Sequence, residues 1–412
     1  MILYLTLAVT FFNLTNLGAN FPPILNPVTA IGFDAVLHNP ANLGLTENPD
    51  YSLRLVSLNL CASNNFLNLD LYNQYLGTDS AVDDEHKTKF FRAVPDNGLV
   101  AKGDLNLGAL DFSYHHFGFA FRRCYLGNIK IPKELIDLVL FGNELGRTYD
   151  LSNFSLDYIV YNSFNLAYAL PVIKKENRFG TIGLGVKFLL GGSAQITRQA
   201  LGSLYSDEYF ARGKIDWIRT QATGGYGLGI DFGSTYETDK YRFSLAILNL
   251  TPGIKWSENP NAKRLTVTID SFSLYRIVKT NSVDSVFGTE DYSSVIEPFR
   301  TPIPIYLTLG AGWKFDDFGS ILSLVYEQNL VSTKFSTFNP KFSLDLEWNL
   351  LEAIIINPSI SIGGSEGIGF SLGIGKNIRR LLLGFNLESM GSPSISHAKG
   401  LKFGFSLGVA PP

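Results

Sequence analysis

The stretch Lys341 to Leu350 reads KFSLDLEWNL and alternates strictly between two kinds of side chain. Its even-numbered positions are Phe, Leu, Leu, Trp and Leu, and its odd-numbered positions are Lys, Ser, Asp, Glu and Asn. Since successive side chains of a β-strand point to opposite faces, one face of this segment is apolar and the other is polar. About ten residues is also the length of a tilted strand that crosses a bilayer. The stretch therefore predicts a membrane-spanning β-strand.

The same alternation recurs over much of the chain and is most regular in its last third. Pro304 to Phe315, Gly367 to Gly375 and Gly400 to Val409 each place large apolar residues on one face and mainly Gly, Ser, Thr or Lys on the other. In hydrocarbon every backbone polar group must be bonded within the protein, so a membrane sheet has to close on itself. The pattern predicts an all-β protein, an antiparallel transmembrane β-barrel of about fourteen strands, since such barrels take an even number.

Composition supports a barrel over the other protein classes. Aromatic residues make up 13% of the 412 residues, mean hydropathy is only +0.10, and no run of eighteen apolar residues occurs. Half-polar spanning strands account for the low hydropathy, and the missing run excludes a transmembrane helix. The net charge of −3, without a basic tract, argues against nucleic acid as a partner. A soluble β-sandwich also alternates, and it remains the rival fold.

The lysines of the predicted strands favour the membrane fold. Lys187, Lys314, Lys341 and Lys402 all fall in the polar register of their strands. A lysine against lipid near the bilayer midplane costs about 2–4 kcal/mol, so a barrel in lipid requires this placement. Aromatic residues near strand ends, such as Trp313 and Trp348, are typical of interfacial girdles.

The N-terminal fifty residues differ from the rest. Residues 1–19 contain the apolar run ILYLTLAVTFF and end in small residues, which predicts a secretory signal peptide; a buried first strand is the alternative. Residues 20–50 are punctuated by proline and do not alternate, so they are predicted to pack inside or beneath the barrel as a plug. The barrel itself is predicted to span residues 51–409, in the bacterial outer membrane.

Several segments between the long strands have predictable character. Pro132 to Phe141, PKELIDLVLF, has helix start and stop signals and predicts one short loop helix, either packed on the rim or acting as a lid. Phe66 to Tyr72 is predicted as a weaker strand. Polar stretches predict exposed loops at residues 73–103, 191–213 and 279–300. A break in alternation predicts a β-bulge near Gly108. The seventeen-residue run Phe154 to Leu170 predicts a strand that either projects beyond the membrane or carries a bulge near Asn162.

Sequence motifs for catalysis or metal binding are weakly supported in this chain. GxSxG occurs at Gly369–Gly373 and Gly404–Gly408, but a nucleophile elbow needs a strand, a sharp turn and a helix. His115 and His116 are adjacent in a predicted hairpin and point to opposite faces, so they do not predict a metal site. Cys61 and Cys124 are expected to be unpaired thiols, and a disulfide between them in an oxidising periplasm is the alternative. No catalytic residue, metal site or cofactor is predicted, and the chain is not expected to be an enzyme.

The stretch HNPANLGL, just before the first strand, resembles the FadL/PorV-like superfamily of outer-membrane barrels. That superfamily includes fatty-acid channels, a secretion-system component and an uncharacterised domain-of-unknown-function branch. The order of later pieces, such as PDNGLVAKGDLNLGALDFSYHHFGFAFR and FGTIGLGVKFLLGGSAQ, is most similar to the uncharacterised branch. The resemblance implies a plug in the lumen, with His38, Asn39, Pro40 and Asn42 as candidate ligand or plug residues.

Two functions are compatible with this interpretation. The first is passive uptake of a hydrophobic or small solute through the barrel. The second is a non-transporting scaffold whose loops or periplasmic face hold an envelope or secretion protein. Membrane lipid is a predicted partner in both cases.

Overall fold

The structure is a computed structural model that describes residues 26–75, 83–272, 287–315, 320–350, 354–364, 367–378 and 380–411. The predicted signal peptide, residues 1–19, lies outside the described residues. Within them, no helix has the length and apolar character needed to cross a membrane.

The chain is dominated by nineteen β-segments that form one sheet. Their bounds are β1 Tyr51–Asn64, β2 Leu99–Tyr114, β3 Phe117–Ile131, β4 Thr148–Asp150, β5 Ser155–Lys175, β6 Arg178–Ser206, β7 Ala211–Thr238, β8 Tyr241–Leu250, β9 Ile254–Trp256, β10 Asn261–Phe272, β11 Phe287–Val295, β12 Phe299–Thr301, β13 Tyr306–Lys314, β14 Ile321–Asn329, β15 Lys341–Leu350, β16 Ile354–Gly363, β17 Gly367–Ile378, β18 Leu381–Met390 and β19 Gly400–Val409.

Helices are short. They are α1 Ala35–His38, α2 Leu69–Tyr75, α3 Asp84–Ala93 and α4 Lys133–Phe141, and single 3₁₀ turns lie at Gly32–Asp34, Pro40–Gly44 and Ile395–His397. Asp83 caps the N-terminus of α3, and its side chain accepts a hydrogen bond from the backbone amide of His86. That amide and the His86 ring hold the pKa of the Asp83 carboxyl below its ordinary value.

The sheet closes into a barrel of fourteen strands, because β19 pairs with β1. All pairings are antiparallel between neighbours in the chain, and three barrel strands are interrupted. β8, β9 and β10 all pair with β7 and form one strand; β11, β12 and β13 form the next. β4 continues the line of β5, since both pair with β6. The predicted fold class and strand number are confirmed.

Side chains divide by face as the alternation predicts. In β15, Phe342, Leu344 and Trp348 are 45–50% exposed on the outside, whereas Asp345 and Glu347 are buried inside. Exposed apolar side chains continue around the outer surface, as at Leu184, Leu228 and Leu372 in other strands. An outward apolar surface of this extent is the surface that lipid covers.

The two ends of the barrel differ. The connections β2–β3, β5–β6 and β7–β8 are two residues long and lie at one end, while long connections with helices lie at the other. Outer-membrane barrels have short periplasmic turns and longer extracellular loops, which sets the orientation. At the outer end β6 and β7 reach 29 and 28 residues and project beyond the wall with β4, β10 and β11.

The predictions for two of the three polar loops were wrong. Residues 191–213 are mostly the outer half of β6, with only the first three residues of β7, and the described part of residues 279–300, from residue 287 on, contains β11 and the start of β12. These extensions stand above the hydrocarbon of the membrane, so neither face has to be apolar and the alternation disappears although the ladder continues.

The prediction of a strand at Phe66–Tyr72 was also wrong, since Leu69–Tyr75 is the helix α2. The Asn68 carboxamide accepts a hydrogen bond from the Leu71 amide at 2.7 Å, which caps this helix. The third loop likewise contains α3 and the start of β2. The helix predicted at Pro132–Phe141 is present as α4, and both predicted bulges occur as register shifts, at Gly108/Phe112 and at Val160/Tyr161.

Candidate functional site

The periplasmic half of the lumen is filled by residues 26–50, which we call the plug. Nearly all of the plug is buried, and it lies directly against the barrel wall. Several wall positions that the plug touches are glycine. A Cβ at Gly183 would overlap the backbone of Pro40 and Ala41, and one at Gly233 would overlap the Asn39 carboxamide. Further wall glycines in contact with the plug are Gly118, Gly310, Gly312 and Gly408.

Asn39 and Asn42 attach the plug to β7. Asn39 Nδ2 donates to Thr235 Oγ1 at 2.9 Å, and Thr235 Oγ1 donates to Asn42 Oδ1 at 2.6 Å. Asn42 also donates to the carbonyls of Ala30 and Pro27, which ties the plug to itself. Pro40 opens the 3₁₀ turn that separates the two asparagines, and Asn39 Oδ1 accepts from the Ala41 amide. These side chains are fully buried and thereby anchor the turn.

A buried charge network joins the plug to β1, β2 and β3. Arg54 lies 2.5 Å from Asp34 of the plug and 2.6 Å from Asp111, and Arg122 lies 2.7 Å from Asp111. The Arg54 guanidinium also stacks over the Phe33 ring at 4.5 Å. Buried charges persist only where they are paired and hydrogen-bonded, and each of these four groups has a partner of opposite sign.

The bulge in β2 places Asp111 in this network. Leu110 adopts a φ of 56°, and the ladder between β2 and β3 loses register there. The Asp111 carboxylate compensates by accepting the Phe121 amide at 2.8 Å. Gly108 completes the arrangement, since a Cβ at this position would overlap the Arg122 guanidinium and the Ser57 hydroxyl.

A second charge network holds the other end of the plug. Arg242, fully buried, lies 2.6 Å from Glu47 of the plug and also pairs with Glu237 of the wall. Lys314 lies 2.9 Å from Glu237, and Arg242 donates to the Val28 carbonyl at 2.9 Å. The plug is therefore fixed by ion pairs at both of its ends.

Above the plug the lumen opens into a cavity of about 610 Å³. Its floor includes Leu37 and His38, and its outer rim includes Phe335, Ser336 and Thr337 of the β14–β15 loop. The remainder of the lining combines apolar wall residues, such as Leu60, Leu126, Leu248 and Val325, with a larger number of polar ones. The polar wall residues comprise Asn59, Lys102, Asp104, Asn106, Arg122, Lys187, Asn249, Thr308, Glu327, Lys341, Ser343, Asp345, Ser359, Ser361, Ser371, Asn386, Glu388 and Lys402. The cavity thus carries hydroxyls, amides and both signs of charge.

The cavity charges are largely matched within the wall. Lys187 lies 3.0 Å from Asp231, and Lys341 and Lys402 lie 3.3 and 3.7 Å from Glu388. The Asp345 carboxylate accepts hydrogen bonds from three side chains, those of Ser343, Ser359 and Asn26. Paired charges and hydroxyls make the cavity polar without giving it a strong net charge.

Of the four sequence-predicted site residues, only His38 lines the cavity. Asn39, Pro40 and Asn42 lie beneath it, within the plug and against β7. The analysis from sequence did not identify Arg54, Asp111, Arg122 or Arg242. The sequence feature that could have identified them is a charged residue in the polar register of a strand, as at Lys187. At Asp111 the bulge in β2 shifts that register.

The other motifs considered from the sequence lie in strands and in the β2–β3 hairpin. Both GxSxG stretches lie wholly within strands, in β17 and β19. No disulfide joins Cys61 and Cys124. His115 lies 3.5 Å from Asp50, and His116 lies 3.2 Å from the Leu43 carbonyl. Among the described residues no three His, Cys, Asp or Glu side chains form a group that would hold a metal ion.

Solved structures with the same fold are outer-membrane channels. The Pseudomonas putida toluene transporter TodX is 10% identical, with a TM-score of 0.54 over 96% of this chain and 99% of that one. The monoaromatic hydrocarbon channel CymD is 11% identical, with a TM-score of 0.51 over 97% and 98%. A FadL homologue of Pseudomonas aeruginosa is 12% identical, with a TM-score of 0.47 over 95% of each chain. At these identities the similarity to TodX and CymD shows the fold alone.

The predicted resemblance to FadL-like barrels and the predicted outer-membrane location are confirmed. No curated protein matches this sequence. A family model described as a family of unknown function, DUF5723, matches residues 46–212 and 193–383, which is most of the chain. The chain is therefore an outer-membrane β-barrel that belongs to the DUF5723 family of unknown function.

Proposed function

We propose that this chain is a passive channel for the uptake of a small solute, and that the solute is polar. The observation that carries the proposal is the cavity of about 610 Å³ inside the barrel, open towards the outer end and lined with hydroxyls, amides and charges. A volume of 300–1,000 Å³ is typical of small-molecule sites.

The polar lining separates this proposal from hydrocarbon uptake. TodX is a toluene transporter and CymD a monoaromatic hydrocarbon channel. A hydrocarbon that entered the cavity here would displace water from groups such as Lys102, Asn106 and Ser371 without replacing its hydrogen bonds, which costs free energy. A solute with hydroxyl, carboxylate or ammonium groups would satisfy them instead.

The plug occupies the periplasmic half of the proposed solute path. Asn39, Pro40 and Asn42 shape a closed floor, and His38 presents an imidazole to the cavity from that floor. Passage to the periplasm requires part of the plug to shift, and the ion pairs of Arg54 and Arg242 resist this motion. His38 is the plug side chain that we assign to contact with solute.

A matched pair of variants tests the channel. Ser371 lines the cavity in β17, and Leu372 next to it is 50% exposed on the lipid side. In liposomes that contain the purified full chain, Ser371→Phe is expected to lower the flux of small polar solutes such as glycerol or serine severalfold, because the ring occupies the cavity. Leu372→Phe adds the same ring in lipid and is expected to leave the flux unchanged.

Two results would contradict the proposal. Equal polar flux through both variants and the unchanged chain would remove the cavity from the path. Flux of toluene above that of the polar solutes would assign the channel to hydrocarbons.

The non-transporting scaffold is the second candidate, and the close fit of the plug favours it. Pro40 and Asn39 contact the wall at glycines, and both ends of the plug are ion-paired, so the periplasmic half is closed. Deletion of residues 34–45 separates the two candidates. A channel is expected to conduct polar solutes faster without these residues, whereas negligible flux both with and without them favours the scaffold.

A further inference from the structure

Basic residues on the two faces of the barrel differ in their pairing. The lumen-facing Arg54, Arg122, Arg242, Lys187 and Lys314 each have a carboxylate partner. Arg219, Lys255, Lys263 and Arg300 lie on three adjacent barrel strands at the outer end, and their side chains point outward. None of these four has a carboxylate of the described residues within ion-pair distance.

The residues next to Lys255 and Arg300 show that both side chains point to the outside of the barrel. Ile254 and Trp256, on either side of Lys255, are fully buried in an apolar cluster inside the barrel. Phe299 packs against the same cluster, and the Trp256 indole donates to Thr301 Oγ1 at 3.0 Å. Since successive side chains of a strand alternate, Lys255 and Arg300 point to the outside.

The face of Arg219 and Lys263 is fixed in the same way. Thr220 accepts a hydrogen bond from Arg198, whose guanidinium stacks over the Phe299 ring inside the barrel. Arg219 is next to Thr220 and therefore points outward. Lys263 is directly opposite Arg219 in the ladder and shares its face.

These four residues form two like-charged cross-strand pairs. Arg219 is opposite Lys263 in β7 and β10, and Lys255 is opposite Arg300 in β9 and β12. Like charges directly opposite each other destabilise a sheet. This repulsion indicates that an anion belongs between the cations of each pair.

The position of the two pairs identifies the kind of anion. Tyr226, which is 54% exposed and directly opposite Lys255, lies at the outer end of the lipid-facing row that includes Leu228 and Ile230. Higher on β7, the Arg219 guanidinium stacks on Trp217 at 4.2 Å. Tyr and Trp are typical of the headgroup level of a membrane, where basic side chains meet lipid phosphates.

We propose that the pairs Arg219/Lys263 and Lys255/Arg300 are binding sites for the phosphate groups of outer-leaflet lipids. Each pair presents two cations to one phosphate, which removes the repulsion between them. The sites lie outside the barrel and are separate from the solute cavity.

Binding of a phosphorylated lipid to the purified full chain in non-ionic detergent tests the proposal. The probe is rough lipopolysaccharide, compared with the same lipid after enzymatic removal of its phosphates. Each double variant, Arg219→Gln with Lys263→Gln and Lys255→Gln with Arg300→Gln, is expected to weaken binding about thirtyfold, since each basic residue near a membrane surface contributes about fivefold.

The matched control removes the same charge at the other end of the barrel. Lys174→Gln with Lys175→Gln changes two exposed lysines at the β5–β6 turn and is expected to leave the affinity unchanged. Heat-dependent migration on a detergent gel verifies that every variant is folded. The dephosphorylated lipid is expected to bind the unchanged chain as weakly as the phosphorylated lipid binds the variants.

Three results would overturn the proposal. The first is a double variant that binds phosphorylated lipid as tightly as the unchanged chain, and the second is a control variant that loses as much affinity as the double variants. Inorganic phosphate that binds as tightly as the lipid would make these free-anion sites and would remove the lipid assignment.

Discussion

The two halves of the lumen are built from the same wall strands but carry different side chains. In the periplasmic half, the wall presents glycine, as at Gly183 and Gly233, and the plug packs against the backbone. In the outer half, it presents Ser343, Ser371 and Asn386 around an open cavity. The lumen-facing residues therefore differ along the barrel. Glycines permit close packing in the periplasmic half, and polar side chains face a solvated cavity in the outer half. Substitutions of the same kind should have different consequences in the two halves.

The largest expected effect is the loss of Arg54 in the closed half. Arg54→Met leaves the buried carboxylates of Asp34 and Asp111 without this cation, and breaking a buried pair typically costs about 3–5 kcal/mol of unfolding free energy. Thermal unfolding followed on heat-modifiable gels or by circular dichroism measures it. As a control, Arg264→Met removes a half-exposed cation paired with Asp216 and is expected to change little. Equal shifts in the two variants would show that the plug network is not coupled to stability.

A smaller loss is expected from a side chain added to the glycine wall. Gly233→Val forces atoms into the Asn39 carboxamide and the Pro40 ring, and overpacking of this kind costs about 1–3 kcal/mol. Limited proteolysis is expected to cut the plug faster in this variant. In the matched control Gly127→Val, the nearest atom to the new Cβ is the Gly103 carbonyl oxygen at 3.9 Å, so stability should be retained. A protected plug in Gly233→Val would contradict the close fit.

The smallest effect compares one hydroxyl in each half. Thr235→Val removes the partner of both Asn39 and Asn42, which is expected to cost about 1–2 kcal/mol because buried amides lose a hydrogen bond. Ser371→Ala removes a hydroxyl that faces the cavity and is expected to stay within about 0.5 kcal/mol. The difference between their unfolding midpoints is the measurement. Equal midpoints would mean that the two halves are solvated alike.

Alternation was sufficient to predict the barrel because lipid acts on each spanning strand separately. Phe342, Leu344 and Trp348 have to be apolar whichever strand lies beside them, so β15 was predictable at both ends. The outer part of β6 and the tip of β7 escaped prediction because no lipid hydrocarbon touches them. Their pairing depends on backbone bonds to a neighbour, which leave no periodic mark on side chains.

The candidate site was predictable only in part, because its contacts join distant residues. The motif HNPANLGL indicated a plug, and Asn39 and Asn42 lie within it. The motif does not reveal that Thr235 is their partner, nor that Arg54 meets Asp34 and Asp111. Those pairings depend on strand register, and the register is altered by a bulge at Leu110 whose backbone conformation has no sequence signature.

The overhang of β6 and β7 has a practical consequence for work on whole cells. At about 3.3 Å per residue, 29 residues extend for roughly 95 Å, far more than a tilted strand needs to cross about 30 Å of hydrocarbon. The turn at Asp207–Phe210 stands at the tip, and Tyr209 there is 77% exposed. Antibodies and bacteriophages would meet this tip before any other part of the hairpin. An epitope tag inserted after Glu208 would report surface display without touching wall, plug or cavity.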